Sequence, residues 1–150
     1  MPIHYALDGF CRTMKKQWEE IVELSEFWAF NGLWLFVRDE YKSFSEARKV
    51  FLGIVEELLA HGKIKFSRDG VLLESSAIEQ ISLLGQVLPV DRREMVLGRA
   101  AASSSKPREI EDFDKMAEDA KTAEESLWFF REECPARVVW IRDDGSEEWT

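Results

Sequence analysis

Few residues in this chain of 150 amino acids are of the types that carry out nucleophilic or general-base catalysis. The histidines are His4, near the first residue, and His61, which precedes a glycine at the end of an apolar stripe. A serine or cysteine nucleophile needs a base held within hydrogen-bond reach. In this sequence, neither histidine has the partner residues that such a site requires. We therefore expect His61 to cap a helix, and the sequence predicts a protein that is not an enzyme.

The two cysteines, Cys11 and Cys134, lie near opposite ends of the chain. Their wide spacing in a chain of this size favours reduced cytosolic thiols, with one long-range disulfide as the alternative. Cys134 directly follows Glu132 and Glu133 at the predicted end of a helix. Neighbouring carboxylates and a helix C-terminus both raise a thiol pKa, so we expect both cysteines to pack rather than react.

Carboxylates are dense near the C-terminus, where Asp143, Asp144, Glu147 and Glu148 could gather a hard cation through oxygen ligands. Their spacing is not that of a calcium-binding loop, which favours a solvated turn instead. Neither of the glycine-rich patterns that cradle nucleotide phosphates occurs in the chain. The sequence therefore predicts no metal and no cofactor.

The net charge of −9 is confined to one part of the chain. Residues 109–150 contain 14 acidic and 5 basic residues, whereas residues 1–108 contain 15 of each. This excess argues against binding to nucleic acid or to an anionic membrane, and would steer a basic protein partner. The chain shows neither a signal peptide nor an apolar run of about 20 residues, so we expect a cytoplasmic protein.

Along most of the chain, apolar residues recur at the spacing of helices. Two further segments show the turn signals of hairpins. Helix-capping patterns, an acceptor followed three residues later by glutamate, begin at Ser43, Ser76 and Asp91. The predicted helices cover about 7–25, 26–41, 43–62, 76–88, 92–97 and 109–133. The predicted hairpins cover 63–73, with a turn at Asp69-Gly70, and 137–150, with a turn at Asp144-Gly145.

These elements predict an α+β fold that is predominantly helical, with five or six helices and two short antiparallel hairpins. We expect one globular domain over residues 1–150, with a flexible linker at 99–108, where alanine and serine precede Pro107.

Aromatic residues within the acidic block resemble the anatomy of a protein interface, in which apolar anchors lie inside a charged rim. Trp128, Phe129 and Phe130 are consecutive, so one helical stripe cannot bury all three. Trp149 either anchors a partner or fastens the terminal strand to the body of the protein. The predicted partner-binding residues are Glu132, Glu133, Asp143, Asp144, Glu147, Glu148 and Trp149.

A helix over 45–61 followed by a small hairpin also resembles half of a winged-helix unit, which makes a nucleic-acid-binding regulator an alternative. Arg48 and Lys49 on this helix are offset by three glutamates, so its basic face is weak.

The last 23 residues, WFFREECPARVVWIRDDGSEEWT, resemble the C-terminal signature of a small acidic bacterial family of unknown function. Residues 46–85, which include LLAHGKIKF, are similar to that family too. Some of its members resemble immunity proteins of contact-dependent or polymorphic toxin systems. The resemblance implies a binding function and no active site. The resulting hypothesis is an immunity protein that neutralises a basic toxin, with a nuclease favoured. A regulatory adaptor for another basic protein is the alternative.

Overall fold

The computed structural model of the chain describes residues 12–97 and 123–150. Cys11, the predicted linker at 99–108 and most of the helix predicted over 109–133 lie outside the described residues.

The described part contains helices packed against one antiparallel sheet. The helices are α1 Arg12–Ser25, α2 Phe30–Glu40, α3 Phe44–Ala60, α4 Ala77–Val87, α5 Arg92–Leu97 and α6 Ala123–Ser126, which continues as the 3₁₀ turn Leu127–Phe130. The strands are β1 Ile64–Arg68, β2 Val71–Leu72, β3 Arg137–Ile141 and β4 Glu147–Trp149. The predicted α+β fold, dominated by helices, is therefore confirmed.

Local side-chain chemistry sets where several helices begin and end. Ser43, Ser76 and Asp91 each accept a hydrogen bond from the backbone N–H three residues later, at 3.5, 3.2 and 2.8 Å. Such caps satisfy N–H groups that have no partner within the helix. His61 caps the C-terminus of α3, and Gly62 follows with a φ of +68° that L-residues rarely adopt. The predicted capping patterns are thus confirmed.

The second helix begins later than the sequence predicts. We expected a helix from about residue 26, but α2 begins at Phe30, and Phe27 has a φ of +67°. A left-handed residue cannot continue a right-handed helix, so the chain forms a loop over 26–29 instead. The remainder of α2 is central, as predicted, with Leu33, Trp34 and Val37 buried.

Both predicted hairpins form, and they join edge to edge into one sheet with the strand order β2-β1-β3-β4. β1 and β3 are antiparallel neighbours, with Ile64 opposite Trp140 and Phe66 opposite Val138. These four side chains are buried against the helices. The sheet therefore joins the middle of the chain to its C-terminal segment in one core.

The segment after α6 completes this core. It also shows that the helix predicted over 109–133 was wrong at its C-terminal end. Beyond Ser126 the chain tightens into the 3₁₀ turn and then leaves the helical conformation well before Pro135. Trp128 and Phe129 are consecutive and both buried, while Phe130 is 58% exposed. The Phe129 ring lies 5.4 Å from the Phe51 ring, between centroids. Trp128 and Trp140 are thus core residues.

A buried carboxylate fastens this segment to the helices. One oxygen of Glu125, Oε1, accepts hydrogen bonds from Arg38 Nε at 2.9 Å and Trp34 Nε1 at 3.0 Å. The other, Oε2, accepts from Arg92 Nε at 2.8 Å and Arg38 Nη2 at 3.2 Å. All four side chains are almost fully buried. The cluster of Trp34, Arg38, Arg92 and Glu125, here called the arginine–glutamate cluster, links α2, α5 and α6.

Replacing Glu125 by alanine should cost about 3–5 kcal/mol of the free energy of unfolding, because two guanidinium groups would remain buried without their counter-charge. Glu124→Ala is the matched control: this neighbouring side chain is 65% exposed and lies 3.9 Å from Arg92 Nη2. Its loss should cost less than about 1 kcal/mol. Urea unfolding followed by tryptophan fluorescence measures both values, and equal losses would contradict the assigned role of Glu125.

Candidate functional site

Hydrogen bonds between residues of the turn stabilise the acidic tip of the β3–β4 hairpin. Asp144 Oδ1 accepts hydrogen bonds from the Ser146 backbone N–H at 2.9 Å and from Ser146 Oγ at 2.6 Å. These bonds lower the pKa of the Asp144 carboxyl below its ordinary value. Gly145 supplies the positive φ, +86°, that the turn requires. Asp144 is therefore both a negative charge and the residue that shapes the turn.

The hairpin carboxylates differ in whether a cation already neutralises them. Glu148 forms an ion pair with Arg142 across the hairpin. Asp143 and Glu147 are exposed, and neither forms an ion pair or a side-chain hydrogen bond with any residue that the structure describes. These two carboxylates are the ones available to a basic partner.

Glu132 and Glu133 are separated from the hairpin tip. They lie in the turn before β3, whereas the tip follows its last residue, and the strand between spans about 13 Å at 3.3 Å per residue. Glu133 Oε2 also accepts a hydrogen bond of 3.3 Å from Trp128 Nε1. The structure thus divides the predicted acidic residues into two groups, at opposite ends of β3.

Trp149 lies on the face of the sheet opposite to the helices. It pairs with Val139 across β3 and β4 and is 43% exposed. The chain end is tied by Thr150, whose Oγ1 donates to the Val138 carbonyl at 2.6 Å. Strand pairing and Thr150 therefore fasten the terminus, and part of the Trp149 ring stays open to solvent.

A loop that the sequence predicts to be part of a buried helix lies against the hairpin. We call residues 26–29 the aromatic loop; in it Phe27 is 42% exposed and Trp28 is 55% exposed. The Phe27 ring meets the Trp140 ring edge-on at 6.2 Å and lies 5.6 Å from the Arg142 guanidinium carbon. The Trp28 carbonyl accepts a 2.7 Å hydrogen bond from Trp140 Nε1. The aromatic loop and the acidic hairpin therefore form one continuous surface.

Trp28 is held in a defined position although much of its ring is exposed. It meets Phe36 edge-on at 5.9 Å between centroids. A Cβ at Gly32 would lie 2.8 Å from Trp28 Cε3, a distance that would displace the ring. Glycine at this position is therefore required for Trp28 to lie across the start of α2. Gly32, four residues after Trp28, is the one sequence signal that could have indicated this packing.

Other groups with chemical potential have local roles. The His61 ring, through Nδ1, lies 2.8 Å from the Glu57 carbonyl of its own helix. In the ranges 12–97 and 123–150, no three histidine, cysteine or acidic side chains gather as a metal site would require. The helices in those ranges are all too short or too polar to cross a membrane.

Cys134 is a partly buried free thiol that is harder to ionise than an exposed cysteine. Desolvation raises its pKa to about 11, although a backbone hydrogen bond with Ala136 and the nearby Arg137 act in the opposite direction. The predicted direction of the shift was right, but its main cause is burial rather than the adjacent glutamates.

Alkylation should show this difference in thiol pKa. In a Cys11→Ser background, iodoacetamide should modify folded Cys134 about 100-fold more slowly at pH 8 than the same chain unfolded in urea, since only the thiolate reacts. The rate for the folded protein should rise about tenfold per pH unit up to about pH 10. Mass spectrometry follows the modification; equal rates in the folded and unfolded chains would exclude a raised pKa.

The fold resembles that of a solved bacterial protein. A solved structure from Neisseria meningitidis, described as an uncharacterized protein conserved in bacteria, superposes with a TM-score of 0.64 at 24% identity, covering 92% of this chain and 90% of that one. This likeness concerns the fold alone. No curated protein matches the chain in sequence. The model of DUF596, a family of proteins of unknown function, matches residues 59–150, and the chain therefore belongs to the DUF596 family.

Proposed function

We propose that this protein is a non-enzymatic binding protein that neutralises a basic toxin in the cytoplasm, with a nuclease as the favoured target. The observation that carries the proposal is the continuous surface formed by the acidic hairpin and the aromatic loop. Occlusion of the toxin would be both steric and electrostatic.

The aromatic loop and the acidic hairpin would contribute to binding in different ways. Exposed aromatic side chains are frequent hot spots, and Trp28 is already ordered, so less conformational entropy is lost on binding. Asp143 and Glu147, which have no ion-pair partner among the residues described, would speed the encounter with a cationic protein.

A nuclease fits this surface because its own substrate is a polyanion. Enzymes that hold a phosphate backbone present lysine and arginine side chains in a groove. An acidic surface with aromatic anchors is complementary to such a groove. Binding there would exclude the nucleic acid.

A regulatory adaptor for another basic protein remains the second candidate, since it would need the same surface. The nucleic-acid-binding alternative is less well supported, because Arg48 is engaged inside the fold. Its guanidinium donates to the carbonyl groups of Gly85, Leu88 and Pro89 at the end of α4.

Co-expression with the product of each adjacent gene tests the proposal. The expected result is one adjacent product that arrests growth when expressed alone, and whose toxicity disappears when this protein is present. A product that binds without arresting growth would indicate the adaptor. Absence of both binding and protection for every adjacent product would reject the neutralisation proposal.

Reversing charge at the hairpin should slow association with that partner. Asp143→Lys with Glu147→Lys removes the two unpaired carboxylates and leaves Asp144 to form the turn. The association rate at low salt should fall about tenfold or more, and its salt dependence should flatten. Asp39→Lys with Glu40→Lys, on exposed positions at the far end of α2, changes the net charge equally and should have a smaller effect. Equal effects of the two double variants, measured by biolayer interferometry, would show that the hairpin is not the interface.

Removing the aromatic anchor should instead speed dissociation. Trp28→Ala is expected to weaken binding by about 2–4 kcal/mol, mainly through the dissociation rate. Phe130→Ala is a suitable control, because this exposed ring lies at the opposite end of β3 from the hairpin tip. Unchanged dissociation for Trp28→Ala, with an unchanged melting temperature, would remove the aromatic loop from the interface.

A further inference from the structure

A groove of about 470 Å³ opens at the end of the sheet remote from the acidic hairpin. Its walls are the end of β1 with the following turn, residues 67–69, and the segment leading into β3, residues 129–132 and 134–137. Three arginines line it: Arg68, Arg131 and Arg137. This concentration of guanidinium groups is notable in a chain whose net charge is −9.

The arginines of the groove differ from others in the fold in having few internal partners. Arg38 and Arg92 bind Glu125, and Arg142 pairs with Glu148. Within residues 12–97 and 123–150, by contrast, Arg68 and Arg137 make no ion pair and no side-chain hydrogen bond. Arg131 uses one donor, Nη2, on the Val96 carbonyl at 3.0 Å. Most of the N–H groups of this set therefore have no partner in the described part of the chain and could bind a ligand.

The backbone that carries these arginines is fixed. Arg137 begins β3 and pairs with Ser67 in the ladder between β1 and β3. Arg68 ends β1 and pairs with Val71. The hydrogen bond to Val96 holds the Arg131 side chain against α5. Strand pairing therefore fixes the backbone positions of Arg68 and Arg137 before a ligand arrives.

The remaining lining residues limit what the groove can bind. Asp69 and Glu132 also line it, which leaves an excess of one positive charge. One anionic group would balance that excess, whereas a polyanion such as nucleic acid would meet two carboxylates. The exposed ring of Phe130 offers an apolar surface at the same groove.

We propose that this groove binds a small molecule bearing one phosphate or carboxylate group, held by Arg68, Arg131 and Arg137 with its apolar part against Phe130. The planar fork of a guanidinium group matches the paired oxygens of either anion. The site lies at the opposite end of β3 from the acidic hairpin. Ligand binding there can therefore be tested whether or not the hairpin binds a toxin.

Titration of the whole protein with two aromatic anions tests this site. Phenyl phosphate and benzoate each combine one anionic group with one ring, and benzyl alcohol is the neutral counterpart. The backbone amide NMR signals of residues 67–69 and 129–137 should shift and saturate with at least one anion but not with benzyl alcohol. Tighter binding of one anion would show whether phosphate or carboxylate is the natural group.

Variants of the groove complete the test. Arg68→Gln and Arg137→Gln should each weaken binding about tenfold or more, because a charged hydrogen bond is lost. Lys63→Gln, an exposed change at the other end of the sheet, should leave binding unaffected. Thermal melting checks that each variant is folded. Absence of saturable shifts with both anions, or equal binding by the arginine variants and the wild type, would overturn the proposal.

Discussion

The position of the C-terminal segment depends on one buried carboxylate. Glu125 lies between two guanidinium groups, so the cluster carries more positive than negative charge in the core. Desolvation of three charges is costly, and four short hydrogen bonds to the carboxylate offset it. This attachment holds the chain just before the 3₁₀ turn, from which Phe129 enters the core and the chain continues towards β3.

The features predicted correctly from the sequence are those determined by neighbouring residues. A capping acceptor at Ser43 needs only a backbone N–H three residues away, and the Asp69-Gly70 turn needs only two positive φ angles. Glu125 is a different case, since its partner Arg38 is 87 residues away. In the sequence it is one more glutamate of an acidic block, and nothing local distinguishes it from the exposed Glu124.

The candidate binding surface likewise has one half that could be predicted from the sequence and one that could not. Its acidic half could be found from the sequence, because an Asp-Gly turn exposes the carboxylates around it. Its aromatic half could not, because Phe27 and Trp28 lie in an apolar run that continues into α2. Contacts between residues far apart in the sequence show that this loop lies against the hairpin: Trp28 with Trp140, 112 residues away, and Phe27 with Trp140 and Arg142. The grouping of acidic side chains also depended on the fold, since β3 separates Glu132 from Asp143.

The central pairing of β1 with β3 has a consequence for the order in which the molecule folds. Ile64 and Trp140 are neighbours in the sheet, yet about half of the chain lies between them. Closing so large a loop costs entropy before any strand contact compensates for it, whereas helices and hairpins close quickly. We therefore expect the β1–β2 hairpin to form first with one bare edge, able to pair with a strand from another molecule. Docking of β3 removes that edge, which makes this late step the one that protects the folding chain from aggregation.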